Sequence, residues 1–434
     1  MRLSESSENV VAGGVVLDVK KAIDEKIEQM REEIVEFTST LIQFPSVQGE
    51  EKNAQLFFAD ALKKIGCQVD VFNPNPEELK AYEDLMITRQ DFSKSPDVVG
   101  VLKGTGGGKS IILNSHMDVV PAGDQDWKES PWSGKVEGGK IFGRGASDMK
   151  GGAAANYFAL KAIIESEIKL KGEVIIESVV DEETGGAGTA ATLLRGYTAD
   201  TAIISEPTDM RVYPACMGSM WFRIKVKGKA AHGATAYLGI NAIEKAQTIY
   251  KAVKKLEEDR KETKRHSLYS HLEIPFCINI GKFFGGNWPS SVPDEVIMEG
   301  RMGVSPDESI REARKELEDA VCQAAATDSW ICENPPMIEW FGSCWVGGAI
   351  NKDHPMVQNI VQNHEDLLYK KPVVSGAPWA TDAGVLIKYG NIPAVIYGPG
   401  KGSMAHQTNE YIDIEDIIKA TKVISKSILD WCLY

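Results

Sequence analysis

Four short apolar runs in this chain each break off into imidazole or carboxylate groups, and that pattern narrows the possible folds more than any other feature. Ile111–Leu113 leads into His116 and Asp118, and Glu173–Val180 into Asp-Glu-Glu-Thr-Gly-Gly at 181–186. Thr201–Ile204 leads into Ser-Glu-Pro-Thr at 205–208, and Val395–Tyr397 into a glycine-rich stretch carrying His406. Runs of this length bounded by turn residues read as buried strands. Between them lie helical stretches, Ala-rich from Gly151 to Glu167 and again from Gly188 to Gly196. Strands alternating with helices predict a mostly parallel twisted sheet flanked by helices, an α/β fold. In such sheets, site residues collect at the carboxyl ends of the strands. His116 and Asp118 are two apart on extended backbone, so they face the same way. The HxD pair alone is short, and a surface loop would explain it as well. Its weight comes from the other strand exits.

The remainder of the chain fits around that sheet. Residues 1–17 read as a loose leader, and the spacing of Ile23, Ile27, Met30, Ile34, Phe37 and Leu41 predicts one helix from Lys20 to Phe44. A second helix covers Glu50–Gly66 and a strand covers Gln68–Phe72, whereas residues 73–97 read as an inserted surface excursion. From about residue 215 the pattern changes. Met220–Val226 alternates strictly, Asn241–Arg260 is amphipathic, Phe276–Phe283 and Val296–Val304 are strands, Pro306–Ala325 is a helix and Met337–Phe341 a strand. That order, β-α-β-β-α-β, is ferredoxin-like. We therefore expect a catalytic domain of residues 1–214 and 346–434, interrupted by an α+β domain at 215–345 and closed by a helix over Asp413–Trp431.

Composition removes several function classes. The 434 residues are 43% hydrophobic and 25% charged, as in soluble globular proteins. A formal net charge of −14 argues against a nucleic-acid binder. No apolar run reaches the length of a membrane span, and the first residues lack a signal-peptide pattern. The seven cysteines are scattered and form no CxxC pair, which points to reduced thiols in the cytoplasm and not to a thiolate zinc cluster.

Gathering the groups at strand exits and glycine-rich turns gives His116, Asp118, Asp148, Glu182, Glu183, Glu206 and His406. Imidazole nitrogen and carboxylate oxygen are the donors zinc prefers. A two-metal site needs one bridging group and terminal ligands on each ion. Five of these residues meet that count and leave an acidic residue over as a base. Glu182 and Glu183 would point apart on extended backbone, so the turn at 184–186 has to bring both to one place. Each group also has a structural explanation: a solvated acidic pair, a turn Asp, a strand stop before Pro207.

Taken together, SHMDVVP, GRGASDMKGG, DEETGG, SEPT and GPGKGSMAHQTNE, in that order, resemble the signatures of a family of two-zinc amidohydrolases. It contains aminoacylase, acetylornithine deacetylase, succinyl-diaminopimelate desuccinylase and carboxypeptidase G. The resemblance spans about residues 25–430. It implies that His116, Asp148 and Glu206 hold one zinc and that Asp148, Glu183 and His406 hold the other, with Asp148 bridging and cobalt able to substitute. It implies Glu182 as general base acting on a metal-bridged water, Asp118 orienting His116, and a cis peptide after Asp148. The smaller domain would be a lid and dimerisation domain. His232, in GKAAHGA, would reach the partner subunit's site to stabilise the oxyanion. Arg301 would bind a substrate carboxylate, with Asn279, Thr381 and Gly400 lining the substrate side. The implied reaction is hydrolysis of the amide of an N-acylated amino acid or related small amine, by a cytoplasmic homodimer. An N-formyl aminopyrimidine deformylase and a metallo-dipeptidase or carboxypeptidase are the alternatives, and a non-catalytic binding relative ranks last because no ligand or base is missing. Two departures stand out. Ser115 replaces the usual Gly before the first His, and Gly384 stands near the place where the desuccinylase carries an Arg.

Overall fold

The computed structural model describes residues 19–433, so the leader expected at 1–17 falls outside the described residues. Nine strands form the larger sheet. Its spatial order is Gln68–Phe72, Asp97–Leu102, Val174–Val179, Ile111–His116, Ala202–Ile204, Ala394–Ile396, Val212–Cys216 and Gly348–Ala349, and Val374–Ala377 also pairs with Val212–Cys216. The pairings are parallel at the centre, from Val174–Val179 through to Ala394–Ile396. They turn antiparallel toward both edges, except that Val374–Ala377 pairs parallel with Val212–Cys216. The central parallel strands end at the same edge, which brings together three exits that are about 25 to 90 residues apart in sequence.

Both faces of this sheet are covered. Ile111, Leu113, Ile176 and Ile203 face one side and pack under Gly151–Glu165 and Ile414–Cys432. Ile112, Ile175, Ala202 and Ile204 face the other. The period of two in these strands explains why the runs read as continuously apolar: neither parity is exposed. Gly151–Glu165 can lie close because it opens on two glycines. A Cβ on Gly152 would sit 1.9 Å from the Ser205 carbonyl oxygen, one residue before Glu206.

A second sheet has the order Ile278–Gly285, Glu295–Val304, Gly218–Lys227, Met337–Trp345, all antiparallel. Helices Ala242–Thr263 and Ile310–Ala325 bury Ile249, Val253, Leu317 and Val321 against Phe222, Ile224, Val226 and Met298. The opposite face of the sheet carries Ser219, Trp221 and Arg301. The helix at 310 starts on a capping box, with Ser309 and Glu312 bonded reciprocally.

Three expectations are corrected. The first long helix is broken at Met30, so residues 19–29 are followed by a separate helix Arg31–Ile42. The stretch 73–97 is not a loose surface excursion. It contains a short helix, Pro76–Leu79, and buries Leu79, Leu85 and Phe92 in the same apolar cluster as the second sheet. Its polar composition hid three well-spaced anchors. A small sheet of Lys135–Glu137, Lys140–Phe142 and Tyr411–Asp413 was not foreseen, because its strands are only three residues long.

Gly152→Ala should destabilise the protein by roughly 1–3 kcal/mol, the usual range for overpacking a closed contact. The denaturant midpoint should fall without a change in slope.

Candidate active site

The turn after Val174–Val179 shows how adjacent glutamates come to share one site. Asp181 takes a left-handed backbone conformation, and Glu182–Thr184 form a single tight turn before Gly185 and Gly186. The backbone N–H groups of Glu182 and Glu183 donate to the two oxygens of the Asp118 carboxylate, at 3.3 and 3.1 Å. Asp118 therefore secures the glutamate turn. Its relation to His116 runs mainly through the backbone: His116 Nδ1 lies 2.9 Å from the Asp118 carbonyl oxygen and 3.7 Å from its carboxylate. A ring nitrogen paired this way leaves Nε2 free to face the cluster.

Asp148 is the centre of that cluster. Its Oδ1 stands 3.1 Å from His116 Nε2, and its Oδ2 stands 3.5 Å from His406 Nε2. His406 Nε2 is also 3.0 Å from a Glu183 carboxylate oxygen. Glu206 and Glu182 lie 4.0 and 3.9 Å from His116 Nε2. Two groups of donors fall within metal-binding reach: His116, Asp148 and Glu183, and His116, Glu182 and Glu206. The peptide between Asp148 and Met149 is cis.

The electrostatics fit a cation. Burial, then the charge of Asp148, pushes the Glu206 carboxyl well above its ordinary range. Burial does the same to Glu182, only partly relieved by His116. Burial raises Asp118 to about 8. His116 is held well above its usual value: burial opposes its charge, but Asp148, Glu206 and Glu182 outweigh that. So many buried acids with so little positive charge are costly unless cations neutralise them.

Two supports escaped the sequence reading. Glu410, fully buried, accepts from the backbone N–H of Gly145, Ser147 and Asp148 and from Arg144 Nη1, at 2.7–3.1 Å. It holds the turn that presents Asp148, and its only sequence signal was its place at the end of HQTNE. Arg89, from the segment read as an excursion, pairs with buried Glu51 at 3.0 Å and stands 3.6 Å from Asp181. Gln48 and Thr184 also bond the Asp181 carboxylate. The segment thus braces the glutamate turn from behind.

A cleft of about 590 Å³ opens over the cluster. Asp148, Glu182, Glu183, Glu206 and His406 lie on its floor, and Arg301 lines it from the second sheet. Three expected residues do not reach it. Asn279 is in register with Arg301 but one strand further out, on the exposed sheet edge. Thr381 is buried, its hydroxyl accepting from the Ala383 N–H. Gly400, at φ +82°, packs against Ser147 Oγ, and Gly402 is the glycine that faces the cleft. His232 is also outside it: exposed, with Nδ1 accepting from the Ala234 N–H. Three tryptophans that the sequence reading gave no role, Trp221, Trp345 and Trp379, wall the cleft.

Replacing Arg89 by Met would leave Glu51 buried without its cation. The expected loss is about 3–5 kcal/mol, with faster amide exchange at residues 181–184 than at the strand Ile111–His116.

Comparison with known proteins agrees with this geometry. Residues 112–430 match the model of peptidase family M20/M25/M40. The N-formyl-4-amino-5-aminomethyl-2-methylpyrimidine deformylase of Bacillus subtilis is 31% identical, over 95% of this chain and 97% of its own length. A probable succinyl-diaminopimelate desuccinylase of Staphylococcus epidermidis is 27% identical over 81% of this chain and 93% of its own. The crystal structure of a tripeptidase from Staphylococcus aureus superposes with a TM-score of 0.70 at 23% identity, covering 93% of this chain and 98% of the other. With its strand-exit carboxylates and imidazoles gathered around Asp148, the chain belongs to peptidase family M20/M25/M40 and is a metal-dependent hydrolase acting on amides.

Proposed function

We propose that the protein hydrolyses the N-acyl group of a small amine, using two zinc ions held around Asp148, with cobalt as a workable substitute. The observation that carries this reading is the pair of imidazoles on opposite oxygens of one carboxylate, His116 beside Oδ1 and His406 beside Oδ2. That suits a bridging ligand. Glu206 would complete the His116 side and Glu183 the His406 side, each with oxygens and nitrogen as zinc prefers. When bound, such a pair makes water acidic enough to attack at neutral pH and polarises the amide carbonyl. Glu182, buried and facing the same space, takes a proton from the attacking water and delivers it to the departing nitrogen. A C–O bond forms and the C–N bond breaks, leaving a carboxylate and a free amine. Glu182 also belongs to one of the two donor groups.

Within this chemistry, an N-acyl amino acid and an N-formyl aminopyrimidine are the two substrate readings. The second is favoured by the deformylase relatives, which match the chain nearly end to end at 30–31% identity. The fold is read as a catalytic domain of residues 1–214 and 346–434 and a lid at 215–345. Apolar groups exposed on the lid, including Phe284, Trp288 at 69% and Tyr237 at 83%, support pairing of two copies there. His232 lies in the same region, bridged to Ser291, and its role would be to reach the partner's site as an oxyanion donor. All seven cysteines are unpaired, in keeping with a reducing cytoplasm. No helix of the described residues is long and apolar enough to cross a membrane.

Exhaustive chelation should abolish amide hydrolysis, and zinc or cobalt should restore it; activity that survives chelation would remove the metals from the reaction. Glu182→Gln should retain two metals per chain while kcat falls by about 10²–10⁴-fold. A variant that instead loses one metal would make Glu182 a ligand.

A further inference from the structure

The walls of the cleft carry information about the amine that its floor does not. Trp221, Trp345 and Trp379 come from three separate strands or their exits, and all line the space above Glu182 and Asp148. Each ring is fixed by a contact of its own. The Trp345 indole N–H donates to the Glu182 carbonyl oxygen at 2.9 Å. The Trp379 ring meets Tyr213 edge to face, with centroids 5.5 Å apart. Trp221 rests edge to face on Phe341 and remains 40% exposed.

Glycines leave room for two of these rings. Gly342 has φ +66°, and a Cβ there would lie 2.7 Å from Trp221 Cε3. A Cβ on Gly402 would lie 3.3 Å from Trp379. Rings already packed against Tyr213, Phe341 and the Glu182 backbone cost a ligand less entropy to order. Arg301 is in register beside Trp221, largely buried, and forms no salt bridge among the described residues; its one side-chain hydrogen bond there runs to Met217 Sδ at 3.8 Å. A guanidinium in this setting can donate in the plane of a ring and to an acceptor on that ring. An aliphatic amino acid would offer its carboxylate to the fork but nothing to the flat faces.

Resting on the amide hydrolysis proposed above, we propose that the cleft selects amides whose amine portion is a planar heteroaromatic ring. Trp221 and Trp379 act as stacking walls, and Arg301 donates to a ring acceptor. Stacking of a base-like ring on an aromatic side chain is sequence-tolerant but strongly shape-selective for flat ligands.

The test uses the full-length, zinc-loaded protein and the free amines, so that binding is read apart from turnover. Calorimetric titration with 4-amino-5-aminomethyl-2-methylpyrimidine should give a Kd at least about tenfold below that for ornithine or alanine. Trp221→Leu and Trp379→Leu should each weaken the ring amine roughly tenfold and leave the aliphatic amines unchanged. Trp221→Phe, which keeps a flat ring, should recover most of the loss. Equal or tighter binding of the aliphatic amines, or Leu and Phe variants that weaken every amine alike, would overturn the proposal; the wild-type comparison decides even if a Leu variant fails to fold. Hydrolysis of N-formyl and N-acetyl derivatives is measured in parallel. A protein that prefers the ring amine yet cleaves no amide would sink the proposed reaction and leave the ring selectivity standing.

Discussion

The crowding of like charge at one end of the larger sheet is the constraint on which the rest of the structure depends. Asp148, Glu182, Glu183 and Glu206 converge on two imidazoles. Left alone, they would repel one another and draw water inward. The fold holds them by main-chain bonds. Asp118 clamps the backbone of Glu182 and Glu183, and Glu410 clamps the turn before Asp148. Neither clamp needs to point into the cleft. The acids that position the site are thus distinct from those that face it, and the positioning acids are satisfied by N–H groups where the facing ones are left wanting a cation.

The framework was legible because its signals are local. A parallel strand buried on both faces leaves a continuous apolar run, and its exit is written in the next few residues, as at His116 and Glu206. The smaller sheet was equally visible, since Gly218–Lys227 alternates strictly once its first residues enter the core. What could not be read depends on three-dimensional register. Asn279 and Arg301 are paired neighbours, but only the inner strand reaches the cleft. Arg89 looked like one more charge in a polar stretch, and its partner Glu51 lies 38 residues away. The tryptophans come from separate segments, and nothing in the spacing of Trp221, Trp345 and Trp379 says that they line one cleft.

The family match and the geometry answer different questions. The match, over residues 112–430, fixes the class of reaction. It does not fix the amine, since relatives in the same family carry names as different as a deformylase and a desuccinylase. Selectivity has to come from the walls of the cleft, where Ser219, Trp221, Arg301 and Trp345 belong to the second sheet. The clustered acids lie on one layer of the molecule and part of the cleft wall on the other.

The hydrogen bond from the Trp345 indole to the Glu182 carbonyl joins those layers. It runs from the last strand of the smaller sheet to the backbone of a glutamate on the floor of the cleft. A swing of that sheet relative to the larger one must either break this bond or pull the glutamate along. Any such swing would be registered on the floor of the cleft as a displacement of one carboxylate, through a mechanical linkage one side chain long.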